Sequence, residues 1–217
     1  MEVSVREILR YLRMKEADAA PELRAQIEEV TEKLNREIRP RSVSRRLPCR
    51  VTENEVSYEG CTILSRNLAR HLRGCREVIL FAATLGPAPD RLVQRLKLQD
   101  SAQMVIVQAA ATAMIEAYCN AEQSRLAAAC REAGLYLKPR FSPGYGDCPL
   151  SCQKDLFRYL DISKQIGVSL TSGSMMVPTK SVTAWIGVTE EENCYVGKCS
   201  RCPNRNCEFR EEEHETA

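Results

Sequence analysis

Residues 76–86, REVILFAATLG, form an almost entirely apolar run that is closed by Gly86. A short apolar run that ends at a glycine is typical of a strand buried on both faces. Such a strand needs other elements packed against each of its faces, because neither face can remain in contact with water. The run therefore predicts a domain in which helices group around a small sheet.

Helical patterns lie on both sides of this run in the sequence. Residues 3–14 and a segment that begins at Pro21 each carry an apolar stripe at helical spacing. Residues 101–134 are rich in alanine and apolar nearly all round at their centre, which predicts a long, central buried helix. A further helix is predicted to begin with Pro149 in its first turn and to end at Gly167.

Strand patterns complete the predicted sheet. Residues 50–64 alternate around a turn, and residues 168–171, 174–177 and 181–188 are three short strand candidates. A polar turn separates the last two candidates, which predicts a hairpin between them. The basic cluster at 39–50 is interpreted as a solvated linker. The whole pattern indicates an α+β fold, with helices around a small mixed or antiparallel sheet.

The composition limits the classes of function. Of 217 residues, 44% are hydrophobic, and the mean hydropathy is −0.33. No apolar run approaches the ~20 residues that span a bilayer, and the charged N-terminus lacks the apolar stretch of a signal peptide. A net charge of +2 is too small to indicate nucleic-acid binding. We therefore expect a cytoplasmic protein that binds neither membranes nor nucleic acid.

No catalytic residue is predicted from the sequence. It contains no phosphate-binding or dinucleotide-binding glycine motif, no nucleophile elbow and no zinc-protease motif. Its two histidines are His71 and His214, and His214 lies in an acidic tail. A histidine-based catalytic triad is therefore not expected.

Residues 140–149, RFSPGYGDCP, combine groups that can hold a small ligand. Arg140 offers a bidentate fork for a carboxylate, and Tyr145 offers a flat ring and a hydroxyl. Gly144 and Gly146 allow a ligand to approach the backbone closely. The residues by themselves leave two interpretations open, a binding loop or a stiff turn between two helices.

Glu116 is a carboxylate within the apolar stretch AMIEAYC of the predicted long helix. An ionised carboxylate in apolar surroundings needs a partner. Two interpretations remain open at this point. Glu116 lies at a helix edge where it reaches water, or it faces a site and meets a cation or an arginine.

Residues 138–188 resemble the activation domain of cobalamin-dependent methionine synthase. The family's Arg-x-x-x-Gly-Tyr signature is present, and so is its Met-x-Pro-x-x-Ser-Val hairpin: Arg140, Gly144 and Tyr145, then Met176, Pro178, Ser181 and Val182. The resemblance reaches back to about residue 50 and is not expected to cover 1–45 or 190–217. It implies a helical domain with a bent, twisted antiparallel sheet.

The resemblance also implies a ligand, S-adenosylmethionine (SAM). Arg140 would hold the SAM carboxylate. The Ser142 backbone and Tyr145 would contact its nucleoside or methionyl part, and Gly144 would make room for it. Glu116 would match an acidic residue of the family, since a carboxylate favours both the sulfonium and the ammonium of SAM.

The implied function is that of a reactivation factor in methionine biosynthesis, which supports reductive methylation of cob(II)alamin. SAM supplies the methyl group, and an external donor such as a flavodoxin or ferredoxin supplies the electron. Since 217 residues leave no room for cobalamin, folate and homocysteine regions, we expect action in trans. The partner would be a cobalamin-binding methionine synthase or another corrinoid protein. Whether the chain is itself an enzyme, as a methyltransferase component, stays open.

Cysteines concentrate in the last third of the chain. Four of the 11 cysteines share C-x4-C-x2-C-x4-C spacing, which predicts one bound metal or cluster: Cys194, Cys199, Cys202 and Cys207. An iron–sulfur cluster could deliver the electron, whereas zinc could fold a segment poor in apolar residues. The alternative function is therefore a metal-bearing electron-transfer or interaction module of corrinoid metabolism without SAM chemistry.

Two further expectations concern organisation and the binding loop. The chain is divided into an N-terminal helical arm at 1–45, an activation-domain-like core at 46–190 and a metal-binding tail at 191–217. Cys148 and Cys152 lie beside the loop, where either a low-pKa thiolate or a structural role is open.

Overall fold

The computed structural model describes residues 1–192. Its α-helices are α1 (Val5–Tyr11), α2 (Pro21–Glu37), α3 (Arg66–His71), α4 (Ala88–Leu96), α5 (Ser101–Arg131), α6 (Gln153–Leu160) and α7 (Ile162–Ile166). Its strands are β1 (Arg41–Pro48), β2 (Arg50–Val51), β3 (Glu55–Tyr58), β4 (Cys61–Leu64), β5 (Glu77–Thr84), β6 (Tyr136–Leu137), β7 (Ser169–Leu170), β8 (Met176–Val177) and β9 (Ser181–Thr189). The predicted α+β class is confirmed.

A four-stranded antiparallel sheet in the order β1-β5-β9-β6 forms the centre of the described structure. Strand β5 is buried from its second residue to its last, which confirms the expectation for residues 76–86. Its side chains alternate between two hydrophobic clusters, as a pleated strand requires. Ile79 and Phe81 belong to one cluster, and Val78 and Leu80 belong to the other.

The first cluster lies between the sheet and helices α1, α2, α4 and α5. Helix α5 crosses this layer and contacts the other three helices and strands β5, β6 and β9. By length and composition alone α5 could cross a membrane, but half of its most apolar 18-residue window is buried inside the fold. The internal helix of a soluble domain meets the same criterion, and its packing accounts for the apolar sequence.

The N-terminal helices contribute to this same core. Ile8 of α1 and Ile27 of α2 are fully buried, in the cluster that also contains Phe81 of β5. The division of the chain at residues 45 and 190 stays a prediction.

The second cluster covers the opposite face of the sheet. Helices α3, α6 and α7 and a small sheet of order β2-β3-β4 enclose it. Trp185 of β9 is fully buried at its centre, and its indole Nε1 donates a hydrogen bond of 3.1 Å to the Tyr58 hydroxyl. This bond satisfies two polar groups that would otherwise be costly to bury.

The interpretation of residues 39–50 as a solvated linker was wrong. Most of this segment is β1, an edge strand that pairs along its full length with β5. Leu47 is buried against the second cluster, while Arg45 and Arg46 form ion pairs with Glu59 and Glu77. The many arginines of this segment suggested a solvated linker, but charged side chains are also common on strands at an exposed sheet edge.

The predicted hairpin between residues 174–177 and 181–188 was also wrong. Strand β8 pairs with β7, whereas β9 pairs with β5 and β6. The turn between β8 and β9 is held by helices instead. The Thr179 backbone N–H donates to Asp90 Oδ2 of α4 at 2.8 Å, and Lys180 Nζ donates to Thr112 Oγ1 of α5 at 2.8 Å.

The helix expected from Pro149 to Gly167 is divided in three. A 3-10 turn at Leu150–Cys152 precedes α6, and α6 ends where Asp161 adopts left-handed backbone angles, with φ at 47°. Helix α7 then continues to the predicted end at Gly167. The break turns the chain so that both short helices pack on the second cluster.

Candidate ligand-binding site

The segment that begins at Arg140 pairs with β9 of the central sheet and contacts helix α5 through the Arg140 side chain. After β6 the chain continues beside β9, where the Phe141 and Trp185 backbones exchange hydrogen bonds of 2.9 and 2.8 Å. Two residues before Arg140, the Lys138 N–H donates to Gly187 O at 2.9 Å on the same strand. The backbone on either side of Arg140 is therefore fixed to the sheet.

The guanidinium of Arg140 lies against one face of α5. Its Nη1 donates to Gln123 Oε1 at 2.9 Å, and its Nη2 donates to Asn120 Oδ1 at 2.8 Å and to Glu116 Oε2 at 3.0 Å. The three acceptors are at positions i, i+4 and i+7 of the helix, which places them on one face. The Arg140 side chain is 16% exposed, and that of Glu116 is 43% exposed.

This contact brings together two residues that the sequence singled out separately. Glu116 reaches water and also meets an arginine, so its environment combines both interpretations left open above. The roles of Arg140, Glu116, Ser142, Gly144 and Tyr145 in ligand binding stay predictions.

Sequence reasoning missed Asn120 and Gln123. Gln123 is 8% exposed, and its Nε2 donates to the Lys138 carbonyl at 3.2 Å while its Oε1 accepts from Arg140. The signal that could have found both residues is their helical spacing from Glu116, which repeats polar acceptors along one face of an otherwise apolar helix.

The loop turns sharply after Ser142. The Tyr145 N–H donates to Ser142 O at 3.4 Å, the Gly144 N–H donates to Cys148 O at 2.9 Å, and the Cys148 N–H donates to Tyr145 O at 3.0 Å. Gly144 has φ at +88°, a conformation that side-chain-bearing residues rarely adopt. The turn leaves Tyr145 at its tip with 59% of its surface exposed.

An aromatic series leads from the protein interior to this tip. The Phe141 ring lies 6.4 Å from the Tyr145 ring in an edge-on arrangement and 5.3 Å from the His71 ring. His71 Nε2 is 2.7 Å from the Pro139 carbonyl. These ring contacts place the Tyr145 side chain against Phe141 at the exposed tip of the loop.

The far end of the loop is held at the start of α3. Asp147 accepts hydrogen bonds from the Ser65 hydroxyl at 2.5 Å, from the Arg66 N–H at 2.8 Å and from both the backbone N–H and the side-chain amide of Asn67 at 3.1 Å. These donors, the Ser65 hydroxyl foremost, hold the pKa of Asp147 well below its ordinary value. Asp147 thus joins the loop to the helix by satisfying backbone N–H groups of its first turn.

The thiol of Cys148 is buried, with 2% of the residue exposed. Burial raises the pKa of Cys148 to about 12, and burial also raises the pKa of Cys152. Of the two roles left open for these cysteines, burial therefore disfavours a low-pKa thiolate and favours a structural role. The Cys148 backbone, not its sulfur, closes the loop through the two hydrogen bonds described above.

The predicted metal ligands Cys194, Cys199, Cys202 and Cys207 lie outside the described residues. Within residues 1–192, no group of three or more histidine, cysteine, aspartate or glutamate side chains could hold a metal ion.

Comparison with solved structures identifies the class of fold. The structure is similar to a crystal structure of the MetH reactivation domain bound to AdoHcy, with a TM-score of 0.62 and 18% sequence identity. The similarity covers 86% of this chain and 70% of that chain. At this identity the likeness establishes the α+β fold of a reactivation domain.

Comparison with family models identifies the family. The model described as the activation domain of vitamin B12-dependent methionine synthase matches residues 50–207, and the chain belongs to this family. The match continues beyond residue 190, where the motif resemblance was expected to end, and includes all four cysteines of the predicted metal site. A comparison with curated proteins gives no match.

Proposed function

We propose that this protein binds SAM at the loop that begins at Arg140 and supports reductive reactivation of cob(II)alamin on a separate protein. The observation that carries the proposal is the placement of the family signature. Arg140 is fixed between sheet and helix, and Tyr145 is presented at the exposed tip of the same loop. The similar reactivation domain bound to AdoHcy supports a ligand of this chemical class.

In the proposed complex, Arg140 binds the carboxylate of SAM through two parallel hydrogen bonds. The guanidinium is paired with the Glu116 carboxylate in the free protein, and the SAM carboxylate takes the place of Glu116 at this contact. Glu116, which is partly exposed, then lies beside the ammonium and sulfonium of the ligand. A carboxylate at that place favours a ligand that carries two positive charges.

The remaining contacts follow from the turn. The Tyr145 ring is placed to stack on the adenine or pack along the methionyl chain, and the Ser142 backbone lies at the start of the same turn. Gly144 permits this turn, because its positive φ suits a residue without a side chain. Together these groups would orient the SAM methyl group towards solvent, where a partner can reach it.

Cobalamin is a substrate in this proposal and is carried by the partner, a cobalamin-binding methionine synthase or corrinoid protein. SAM and one electron convert cob(II)alamin to methylcobalamin, and S-adenosylhomocysteine remains. The electron comes from an external donor of flavodoxin or ferredoxin type. This chain's contribution is to bind SAM and to orient its methyl group.

Calorimetric titration of the 217-residue protein with SAM tests the binding site. We expect saturable binding that is abolished by Arg140→Ala and retained by Arg125→Ala, which removes a 66% exposed arginine from α5, the helix that Arg140 contacts. Absence of detectable heat at millimolar SAM in the unchanged protein would overturn the proposal.

A reconstituted reaction tests action in trans. A cobalamin-dependent methionine synthase that lacks its own activation region is prepared in the cob(II)alamin form and mixed with this protein, SAM and a reduced flavodoxin. We expect the methylcobalamin spectrum to appear only when all components are present. A spectrum that develops equally without this protein would contradict the proposed role.

A second proposal concerns the tail and the alternative function. We propose that Cys194, Cys199, Cys202 and Cys207 bind one metal, because four thiols at this spacing can surround a single ion or cluster. Metal analysis of an anaerobic preparation distinguishes the two candidates. Iron with absorbance at about 400 nm supports electron transfer, and one equivalent of zinc supports a structural tail. If the preparation contains neither iron nor zinc in stoichiometric amount, the metal site is excluded.

A further inference from the structure

We propose that Gln123 and Asn120 are positioning residues that hold Arg140 in place while a ligand carboxylate exchanges with Glu116. The inference rests on the proposed function, since it concerns the same arginine. Both residues lie on α5, and both accept a hydrogen bond from the guanidinium through a neutral amide oxygen. The acceptors of Arg140 therefore differ in charge, and the difference decides which of them a ligand replaces.

The N–H groups of Arg140 determine which contact must break before a ligand carboxylate can bind. A guanidinium has five N–H groups, and it binds a carboxylate side-on most readily along an edge that includes Nη2. Within the described residues, Nη2 donates to both Glu116 and Asn120, and Nη1 donates to Gln123. A ligand carboxylate can form two parallel bonds only after one acceptor leaves Nη2.

Glu116 is the acceptor that can leave. It is 43% exposed, so water can solvate its carboxylate when the contact with Arg140 breaks. Exchange of one carboxylate for another also leaves the charge beside the guanidinium unchanged. Departure of Asn120 would instead place two carboxylates against one guanidinium, where like charges repel.

Gln123 is the acceptor that stays. It is 8% exposed, and both ends of its amide are bonded, the oxygen to Arg140 and the nitrogen to the Lys138 carbonyl. Loss of either bond would leave a buried polar group unsatisfied. Lys138 is in turn bonded through its own N–H to Gly187 of β9. One buried amide therefore connects helix, loop and sheet at the point where Arg140 is attached.

The consequence for binding is preorganisation. An arginine side chain loses much rotational freedom when it is fixed, and here that loss occurs on folding and not on ligand binding. The positioning residues act through Arg140, so they matter for ligands that carry a carboxylate. A ligand that contains the adenosine part alone gains nothing from them.

Ligand pairs test this prediction. SAM and 5′-methylthioadenosine, which lacks the amino-acid part, are titrated into unchanged protein, Gln123→Met and Asn120→Ala, with weak ligands measured by competition. Gln108→Met is the control, because Gln108 is an exposed glutamine of the same helix. We expect Gln123→Met to weaken SAM about 10-fold and Asn120→Ala about 3-fold, with 5′-methylthioadenosine unchanged.

The outcomes separate the inference from the proposed function. If the unchanged protein does not bind SAM, the proposed function fails. If it binds SAM and both variants bind SAM as tightly, the positioning role is overturned. An equal loss of affinity for both ligands would show that Gln123 has only a structural role, and it would likewise overturn the positioning role. Asn120→Ala keeps the test valid if Gln123→Met does not fold, since Asn120 is exposed.

Discussion

The two ends of the 140–147 loop are held by different kinds of contact. At the first end, Arg140 donates to three side-chain oxygens of α5, one of them a partly exposed carboxylate. At the second end, Asp147 accepts from the Ser65 hydroxyl and from backbone N–H groups of α3. In the first set, only Glu116 is proposed to give way to a ligand carboxylate, whereas the second set completes a helix terminus. We infer that both ends of the loop are anchored, and that only the Arg140 end includes a contact, the one with Glu116, that a ligand can replace.

The largest expected effect is that Arg140→Ala mainly lowers SAM affinity, whereas Asp147→Ala mainly lowers thermal stability. Arg140→Ala removes the group proposed to bind the SAM carboxylate, and we expect affinity to fall by at least ~100-fold, as for loss of one partner of a charge pair. Asp147→Ala removes the carboxylate that accepts from first-turn N–H groups of α3, and it should lower the melting temperature more than Arg140→Ala does. Calorimetry and thermal unfolding of both variants provide the comparison. Equal effects of both variants on affinity and on melting temperature would contradict it.

A smaller effect is expected from Gly146, which lies next to Asp147. Gly146 has φ at +58°, and an added Cβ would lie 2.5 Å from Asn67 Nδ2. Since Asn67 is itself bonded to Asp147, it cannot move freely. Gly146→Ala should therefore destabilise the fold by about 1–3 kcal/mol through overpacking, in addition to backbone strain.

Gly134→Ala is the matched control for this variant. Gly134 has φ at +69° but no atom within 4 Å of an added Cβ, so only the backbone strain remains. Urea unfolding of both variants isolates the contact with Asn67. Equal losses of unfolding free energy would show that this contact does not hold the loop.

The pH dependence of stability should report on the Asp147 end. Because the folded-state pKa of Asp147 is lowered, the unfolded chain binds the proton more readily, and acid favours unfolding. The stabilisation is present above about pH 4, the ordinary value for aspartate, and is lost as the pH falls below it. Asp147→Asn should flatten the acid side of the profile, whereas Asp18→Asn, at an exposed aspartate, should not.

The smallest expected effect concerns the choice between charged and neutral ligands at the Arg140 end. SAM and S-adenosylhomocysteine share a carboxylate and an ammonium, but only SAM carries the sulfonium charge. Glu116→Gln should reduce the preference for SAM about 3-fold, since it removes a partly exposed carboxylate. The ratio of the two affinities is the measurement, because competition at Arg140 cancels in it. An unchanged ratio would place Glu116 away from the sulfur.

Local patterns were sufficient for the main elements. The apolar run of β5 and the alanine-rich sequence of α5 each predicted a buried element, because apolar residues occur along most of each segment. The glycines and the proline of the loop predicted a turn for the same reason. These features depend on neighbours in sequence, and the sequence alone determined them.

Only the tertiary structure decided which segments meet. The sequence contained candidate strands on either side of residues 178–180, but pairing with β7 and β5 depended on packing of distant elements. Likewise, Arg140 and Glu116 were each identified by residue type, and their contact through a helix face shared with Asn120 and Gln123 was not. A side chain carries its chemistry in the sequence, whereas its partner is set by how helices and strands bury their apolar faces together.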